Sequence, residues 1–170
     1  MKKYWIILSG LLFSSLIFAA NNQTLQPSLV LKQIKMVTQG ERFGDDLFFD
    51  IAVSRAQKPT QYFRAPKYPL TLPSSKTANV KSVTLWSTPI KNGEIISLTL
   101  SLVDQDLNKF NPDDLIGVIH IDLKNENGQL RTQWSMPNQN RPPVAAKVNQ
   151  EQKFTLSNEH GEYEVYLILK

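Results

Sequence analysis

The stretch ISLTLSLVDQDLNKFNPDDLIGVIHIDL, Ile96–Leu123, largely determines the predicted fold. Apolar and polar residues alternate at both of its ends, from Ile96 to Leu102 and again from Ile119 to Leu123. Alternation with a period of two is typical of a β-strand that buries one face and exposes the other. The middle carries four aspartates and a proline, which favour a loop. The stretch therefore predicts two neighbouring strands joined by an acidic loop.

The same period of two continues along most of the chain. Prolines and Asn-Gly or His-Gly pairs supply turn signals between the alternating runs. We predict about eight strands, at residues 29–37, 46–54, 61–64, 80–86, 94–103, 115–123, 129–134 and 152–169, the last of which could be a hairpin. The polar, proline-rich segment 136–150 is expected to form a long surface loop. Because no later segment has a helical period with caps, we expect an all-β protein built as an antiparallel β-sandwich.

The first twenty residues, MKKYWIILSGLLFSSLIFAA, have the pattern of a secretory signal peptide. Two lysines precede an apolar run that is short for a membrane span, and two alanines close it. We expect export to the periplasm or the medium. Residues 21–28 are then predicted to be a flexible leader, and residues 29–170 a single domain.

Composition argues against some classes of partner and of catalytic chemistry. The net charge is +4, and leaving out residues 1–20 gives seventeen basic and fifteen acidic residues, a net charge of +2. This small excess argues against a nucleic-acid partner. The sequence has no cysteine, so it has neither a disulfide nor a thiol nucleophile.

The acidic loop contains Asp104, Asp106, Asp113 and Asp114. Carboxylates held close together repel one another, and a hard cation relieves that repulsion. Calcium suits such a loop because it accepts six to eight oxygen ligands in irregular geometry. The loop is not an EF-hand, since Lys109 stands at the glycine position.

The two ends of this loop resemble those of C2 domains, the calcium- and phospholipid-binding β-sandwiches. Val103-Asp104-Gln105-Asp106 is similar to the V-x-D-x-D end of a strand, and Asp114-Leu115-Ile116-Gly117 to the D-x-I-G start of the next. An earlier acidic segment, GERFGDDLFFDIAV, precedes another predicted strand. The resemblance implies a C2-like fold with bound Ca²⁺. The ligands that it implies are Asp46, Asp104, Asp106 and Asp114, with Asp45 and Glu41 as further candidates.

Two other interpretations of the acidic loops remain open. Aspartates also cap turns and solvate exposed loops, so the carboxylates could be structural only. A C2-like sandwich can also lose calcium and keep its loops. In that case the protein would be a calcium-independent interaction module or effector. If calcium is bound, its open coordination positions could take a lipid phosphate or an acidic protein partner.

A basic group consists of Arg55, Lys58, Arg64 and Lys67, and aromatic residues lie among its members. The C2 resemblance implies that such a group could bind anionic lipid head groups. Phe110, inside the acidic loop, could insert into a membrane interface. The alternative for the basic group is an ordinary solvated surface.

Catalysis finds little support in the sequence. The histidines are His120, which alternates with apolar neighbours and so faces away from them, and His160, which precedes a glycine in a turn. No nucleophile elbow, phosphate-binding loop or H-E-x-x-H motif is present. We therefore expect a non-enzymatic binding module, with an exported hydrolase as the weakest alternative.

Overall fold

The structure is a computed structural model that describes residues 23–38, 45–72, 82–106, 113–137, 139, 142–159 and 161–170. Its regular elements are ten β-strands: β1 Ser28–Thr38, β2 Asp45–Arg55, β3 Lys58–Leu72, β4 Val83–Ser87, β5 Ile95–Asp104, β6 Asp114–Glu126, β7 Gln129–Ser135, β8 Val144–Ala145, β9 Glu151–Ser157 and β10 Glu162–Leu169. Within these ranges no helix has the length and hydropathy needed to cross a bilayer.

The strands form two antiparallel sheets. The small sheet has the order β4-β1-β10-β9, and the large sheet has the order β3-β2-β5-β6-β7-β8. Each sheet turns one row of alternating residues toward the other, as the period of two predicts. On β5, for example, Ile96, Leu98 and Leu100 are fully buried, while the two residues between them, Ser97 and Thr99, are not. The predicted antiparallel β-sandwich is therefore confirmed.

Large side chains from both sheets fill the space between them. Trp134 of the large sheet stacks on Phe154 of the small sheet with ring centroids 5.5 Å apart. Gly117 lets the sheets approach closely, because a Cβ there would lie 3.0 Å from the Cβ of Leu156. Burial of this shared apolar surface is the main favourable contribution to folding in a chain without disulfides.

The predicted strands agree with the structure except in two places. The strand predicted at 61–64 runs from Lys58 to Leu72 and includes Pro59, Pro66 and Pro69. Proline is tolerated there because β3 is an edge strand, whose outer N–H groups need no partner in the sheet. The segment predicted as a surface loop, 136–150, contains the two-residue strand β8. The C-terminal hairpin is present as β9 and β10.

The segment expected to be a flexible leader is held to the domain from Gln23 onward. Leu25 and Ile90 exchange two backbone hydrogen bonds of 3.0 and 2.8 Å. The fully buried Asn125 donates through Nδ2 to the carbonyl of Gln23, and Ser28 already belongs to β1. The flexible-leader prediction is therefore wrong for these residues, because polar backbone groups here find partners on neighbouring turns.

Candidate functional site

The start of β2, the end of β5 and the start of β6 lie together, and we call this the acidic end. Leu47 pairs with Asp104, and Asp104 pairs in turn with Asp114. Antiparallel pairing thus brings carboxylates from distant parts of the sequence to one end of the large sheet. This is the arrangement expected from the two acidic motifs.

Hydrogen bonds within the protein engage two of these carboxylates. The backbone N–H of Asp46 donates to Oδ1 of Asp104 at 2.8 Å, and the Thr71 hydroxyl donates to Oδ1 of Asp46 at 2.6 Å. Gln105 N–H donates to the Asp46 carbonyl at 2.9 Å, which adds one backbone hydrogen bond to the end of the β2–β5 ladder. Donors from the protein itself therefore use part of the hydrogen-bonding capacity of these two carboxylates.

Asp45 is in a different environment, with only 1% of its surface exposed. The hydroxyl of Tyr163, from the opposite sheet, donates to its Oδ2 atom. Its Oδ1 atom is buried and has no hydrogen-bond partner among the described residues. Sequence reasoning missed Tyr163, although its inward position on β10 and the need of a buried phenol for a partner were both available signals.

The described part of the chain contains no group of three or more His, Asp or Glu side chains placed to hold a metal ion. Glu41 lies outside the described residues, as do Phe110 and His160. The ligand set implied by the C2 resemblance is therefore brought to one end of the sandwich but is not assembled into an ion site within the described ranges.

A second candidate region is the edge strand β3. From Lys58 to Leu72 this strand contains three cationic residues and no acidic one. Lys58 and Lys67 are exposed, and so are three aromatic side chains. These are Tyr62, Phe63 and Tyr68, with exposed fractions of 78%, 39% and 74%. Phe63 is opposite the core residue Ile51 in the ladder, so it faces the other side of the strand from Tyr62. We call Tyr62 and Tyr68 together with Lys58 and Lys67 the β3 surface.

Part of the β3 surface lies on a bulge. Between the pairs Phe49–Ala65 and Leu47–Leu70, β3 advances five residues while β2 advances two, so residues 66–69 protrude from the ladder. Lys67 Nζ lies 5.6 Å from the centroid of the Tyr68 ring on this bulge. That distance is within the range of a cation–π contact.

Arg55 belongs to the predicted basic group, but its charge is used within the protein. Its guanidinium is 2.9 Å from Glu94 Oε1, and only 13% of the side chain is exposed. Burial raises the pKa of Glu94, but the Lys91 N–H and the Arg55 charge together outweigh it, so the pKa falls below its usual value. Arg55 is therefore a structural ion-pair partner in this structure.

Arg64 is also engaged by its neighbours. The Cζ atom of Arg64 lies 3.4 Å from the centroid of the Phe48 ring, and Nε is 3.0 Å from Asp50 Oδ1. Its Nη2 atom is 3.7 Å from Asp113 Oδ2, next to the acidic end. Arg64 is 41% exposed, but its charge faces Asp50 and Asp113. Lys58 and Lys67 are the predicted basic residues that are exposed and form no ion pair with the described residues.

A polar row crosses the outer face of the large sheet, the face turned away from the core. Thr99 Oγ1 lies 3.2 Å from His120 Nδ1, and His120 Nε2 lies 3.3 Å from Asp122 Oδ1, which also accepts the Ser97 hydroxyl at 2.5 Å. The outward orientation predicted for His120 is confirmed. The row is a cross-strand hydrogen-bond chain that fixes these side chains on the outer face.

No protein-family model matches this sequence, and no curated protein matches it significantly. Two solved structures are similar at 12% sequence identity. A C2 domain of a plant extended synaptotagmin 1 is covered over 96% of its length and has a TM-score of 0.36, with 87% of this chain aligned. Human GIVD cytosolic phospholipase A2, in complex with methyl gamma-linolenyl fluorophosphonate, has a TM-score of 0.41, with 87% of this chain aligned to 18% of that one. The expectation of an all-β antiparallel sandwich is confirmed by the order of the strands in the two sheets. The C2 resemblance of the acidic motifs stays a prediction.

Proposed function

We propose that this protein is an exported, non-enzymatic binding module that attaches to anionic lipid head groups through the β3 surface. The observation that carries the proposal is the exposure of Tyr62 and Tyr68 on a strand that also has two exposed lysines and no acidic residue, with Lys67 Nζ 5.6 Å from the Tyr68 ring. Tyrosine suits a membrane–water interface because one end of its side chain is apolar and the other is polar.

Electrostatics supplies the attraction in this proposal. Each lysine close to an anionic membrane contributes about 1 kcal/mol, and salt screens that contribution. Two lysines give only modest binding, so the tyrosine rings must add to it. Arg64 supports the surface indirectly, since it holds β3 against Phe48 and Asp50.

Vesicle co-sedimentation tests this function. We expect binding to phosphatidylcholine vesicles that contain phosphatidylserine, weaker binding in high salt, and little binding to phosphatidylcholine alone. Lys58→Gln/Lys67→Gln should weaken partitioning roughly thirtyfold, which corresponds to about 2 kcal/mol. Tyr62→Ser/Tyr68→Ser should weaken it without changing the salt dependence.

The matched control is Lys32→Gln/Lys170→Gln, which removes two lysines outside β3. It should bind vesicles like the wild type. If both lysine double variants lose binding equally, the protein responds only to net charge and the β3 surface is not the site. Equal binding to neutral and anionic vesicles would reject head-group recognition altogether.

A second candidate function is calcium binding at the acidic end. It is favoured by Asp45, a buried carboxylate with one oxygen lacking a hydrogen-bond partner among the described residues. Burying such an acceptor without a partner is costly, and a cation would compensate for that cost. Asp46, Asp104, Asp106 and Asp114 are the residues that would hold the ion, with Asp45 and Glu41 as further candidates. Carboxylate oxygens are the ligands that calcium prefers.

Thermal unfolding in calcium and in chelator tests the second candidate. A site specific to the folded protein gains about 2.7 kcal/mol of stability when free calcium is a hundredfold above Kd. Asp104→Asn/Asp106→Asn should abolish the gain, and Asp122→Asn, on the outer face, should retain it. An unchanged melting temperature of the wild type in millimolar calcium would exclude the site and leave a calcium-independent module.

Export and the absence of catalysis are parts of the same proposal. The apolar run and small residues of the first twenty positions support export. Fractionation of expressing cells, with mass determination of the recovered protein, tests it. Recovery of only the uncleaved chain from the cytoplasm would contradict export.

A hydrolase substrate screen tests the absence of catalysis. Turnover of any substrate in that screen would restore the hydrolase alternative.

A further inference from the structure

We infer that a pocket on the large sheet, at the edge opposite β3, binds a small amphiphile with an anionic head and an aliphatic tail, of the fatty-acid carboxylate class. The inference is independent of the β3 surface, because β3 and β8 are the first and last strands of the six-stranded order. A negative result in the vesicle assay would therefore not contradict ligand binding in this pocket.

The pocket has a volume of about 850 Å³ and is bounded by β6, β7 and residues 145–148. β8 pairs with β7 only through Val144 and Ala145, so the next residues line the pocket without extending the ladder. Small-molecule sites usually have volumes of roughly 300–1,000 Å³. The space is therefore large enough for one small ligand.

The walls of the pocket contribute aliphatic groups. Ile95, opposite Lys124 on the outer face of the sheet, is 49% exposed at the pocket. Leu130 and the short side chains of Ala145, Ala146 and Val148 add further apolar surface. None of the described lining residues is aromatic. These walls favour an acyl chain over a ligand, such as a sugar ring, that stacks on aromatic rings.

Charge determines which head group complements the pocket. Lys124 and Arg131 are directly opposite each other on β6 and β7, and both contact Glu126, at 2.7 and 3.3 Å. Lys147 is a third, exposed cation in the lining. Asp122, the other acid there, is bound by Ser97 and lies beside His120. The three cations exceed the two acids by one positive charge, which complements a single anionic head group.

Isothermal titration of the protein with octanoate, decanoate and dodecanoate below their micelle concentrations tests the inference. Each methylene that enters the pocket should tighten binding up to about fourfold, since a buried methylene is worth about 0.8 kcal/mol. Decyl glucoside and decyltrimethylammonium carry the same tail on neutral and cationic heads. Both should bind more weakly than decanoate.

Two variants locate the site. Arg131→Gln/Lys147→Gln should weaken decanoate binding roughly tenfold, or about 1.4 kcal/mol, and Lys32→Gln should leave it unchanged. Amide chemical-shift changes in the wild-type protein provide a readout that needs no variant. They should concentrate at Arg131 and residues 145–148.

Three results would overturn the inference. The first is binding that is equal for all three head groups. The second is loss of binding in Lys58→Gln/Lys67→Gln but not in Arg131→Gln/Lys147→Gln. The third is the absence of detectable binding by any of the carboxylates.

Discussion

Tyr163 of β10 donates its hydroxyl hydrogen to Asp45 of β2, and this buried hydrogen bond joins the two sheets at the acidic end. The two residues are 118 positions apart in the sequence. The bond places a polar contact inside the sandwich at the point where the predicted ion ligands begin. A change in this hydrogen bond should therefore affect both the packing of the two sheets and the position of the carboxylates at the acidic end.

The first prediction concerns Tyr163→Phe. Removing the hydroxyl takes away a donor to a carboxylate that is almost fully buried, so unfolding free energy should fall by about 1–3 kcal/mol. Urea denaturation measures the change. The matched control is Tyr166→Phe on the same strand, whose hydroxyl donates to Glu164 at 2.8 Å on the outer face. A loss for Tyr166→Phe as large as that for Tyr163→Phe would contradict the importance of the buried bond.

The second prediction concerns pH and Glu164. The Lys153 ammonium at 2.6 Å, then the Tyr166 hydroxyl, and finally Lys35 lower the pKa of Glu164 from 4.5 to about 2. A pKa lowered by folding gives stability that is fully present above pH 4.5 and is lost as the pH falls toward 2. Glu164→Gln should therefore melt below the wild type at pH 7, and the difference should disappear near pH 2.

Melting curves across that pH range test the assignment to Glu164. Glu151→Gln on β9 removes the same charge and serves as the control. Because the side chains of Lys35 and Lys153, which pair with Glu164, are about half exposed, high salt should reduce the effect of the pairs. A difference between Glu164→Gln and wild type that does not vary with pH would show that side-chain packing, not charge, is responsible.

The third prediction separates the two roles considered for Arg64. Arg64→Lys keeps the positive charge but loses the planar contact with Phe48 and the geometry toward Asp50, so it should cost about 1 kcal/mol of stability. Vesicle binding should remain unchanged. Arg131→Lys, where 67% of the side chain is exposed, should be nearly neutral for stability. Loss of vesicle binding in folded Arg64→Lys would instead place Arg64 among the lipid-binding residues.

The fourth prediction concerns Asn125→Ala. The side chain is fully buried, donates to the carbonyls of Gln23 and Ile90, and accepts from the Gly128 N–H. Its removal should cost about 2–3 kcal/mol, because buried backbone groups lose their partners. Hydrogen exchange at Leu25 should also accelerate. Asn92→Ala, at an exposed contact with Asn127, should cost less than about 1 kcal/mol. Unchanged exchange at Leu25 would argue against a role for Asn125 in holding the N-terminal segment.

The sequence predicts those features of the fold that depend on local alternation. β5 and β6 are evident in the stretch from Ile96 to Leu123 because burial on one face imposes a period of two. The full length of β3 is not evident, because three prolines resemble loop signals unless the strand is known to lie at an edge. The convergence of Asp46, Asp104 and Asp114 at one end was expected from the resemblance of the two acidic motifs to those of C2 domains. The Asp45–Tyr163 bond was not, since it depends on how one sheet lies across the other.

The roles of the basic residues likewise depend on how the strands pair and not on local sequence alone. Composition alone marks Arg55, Lys58, Arg64 and Lys67 as equivalent cations. Pairing distinguishes them, because Asp50 is opposite Arg64 in the ladder and Glu94 lies beside Arg55. The pocket between β6, β7 and residues 145–148 could not be anticipated, since it arises where a two-residue strand ends.

The ladder between β2 and β5 runs through nine consecutive pairs, from Leu47–Asp104 to Arg55–Ile96, without a register shift. Insertion or deletion of one residue within either strand would exchange the inner and outer faces beyond it and expose the core leucines. The bulge at residues 66–69 interrupts the pairing of β3 with β2 but leaves the ladder between β2 and β5 in register. Changes in chain length should therefore be tolerated at this bulge and excluded from the central pair, so the β3 surface can diverge in size while the sandwich beneath it keeps its register.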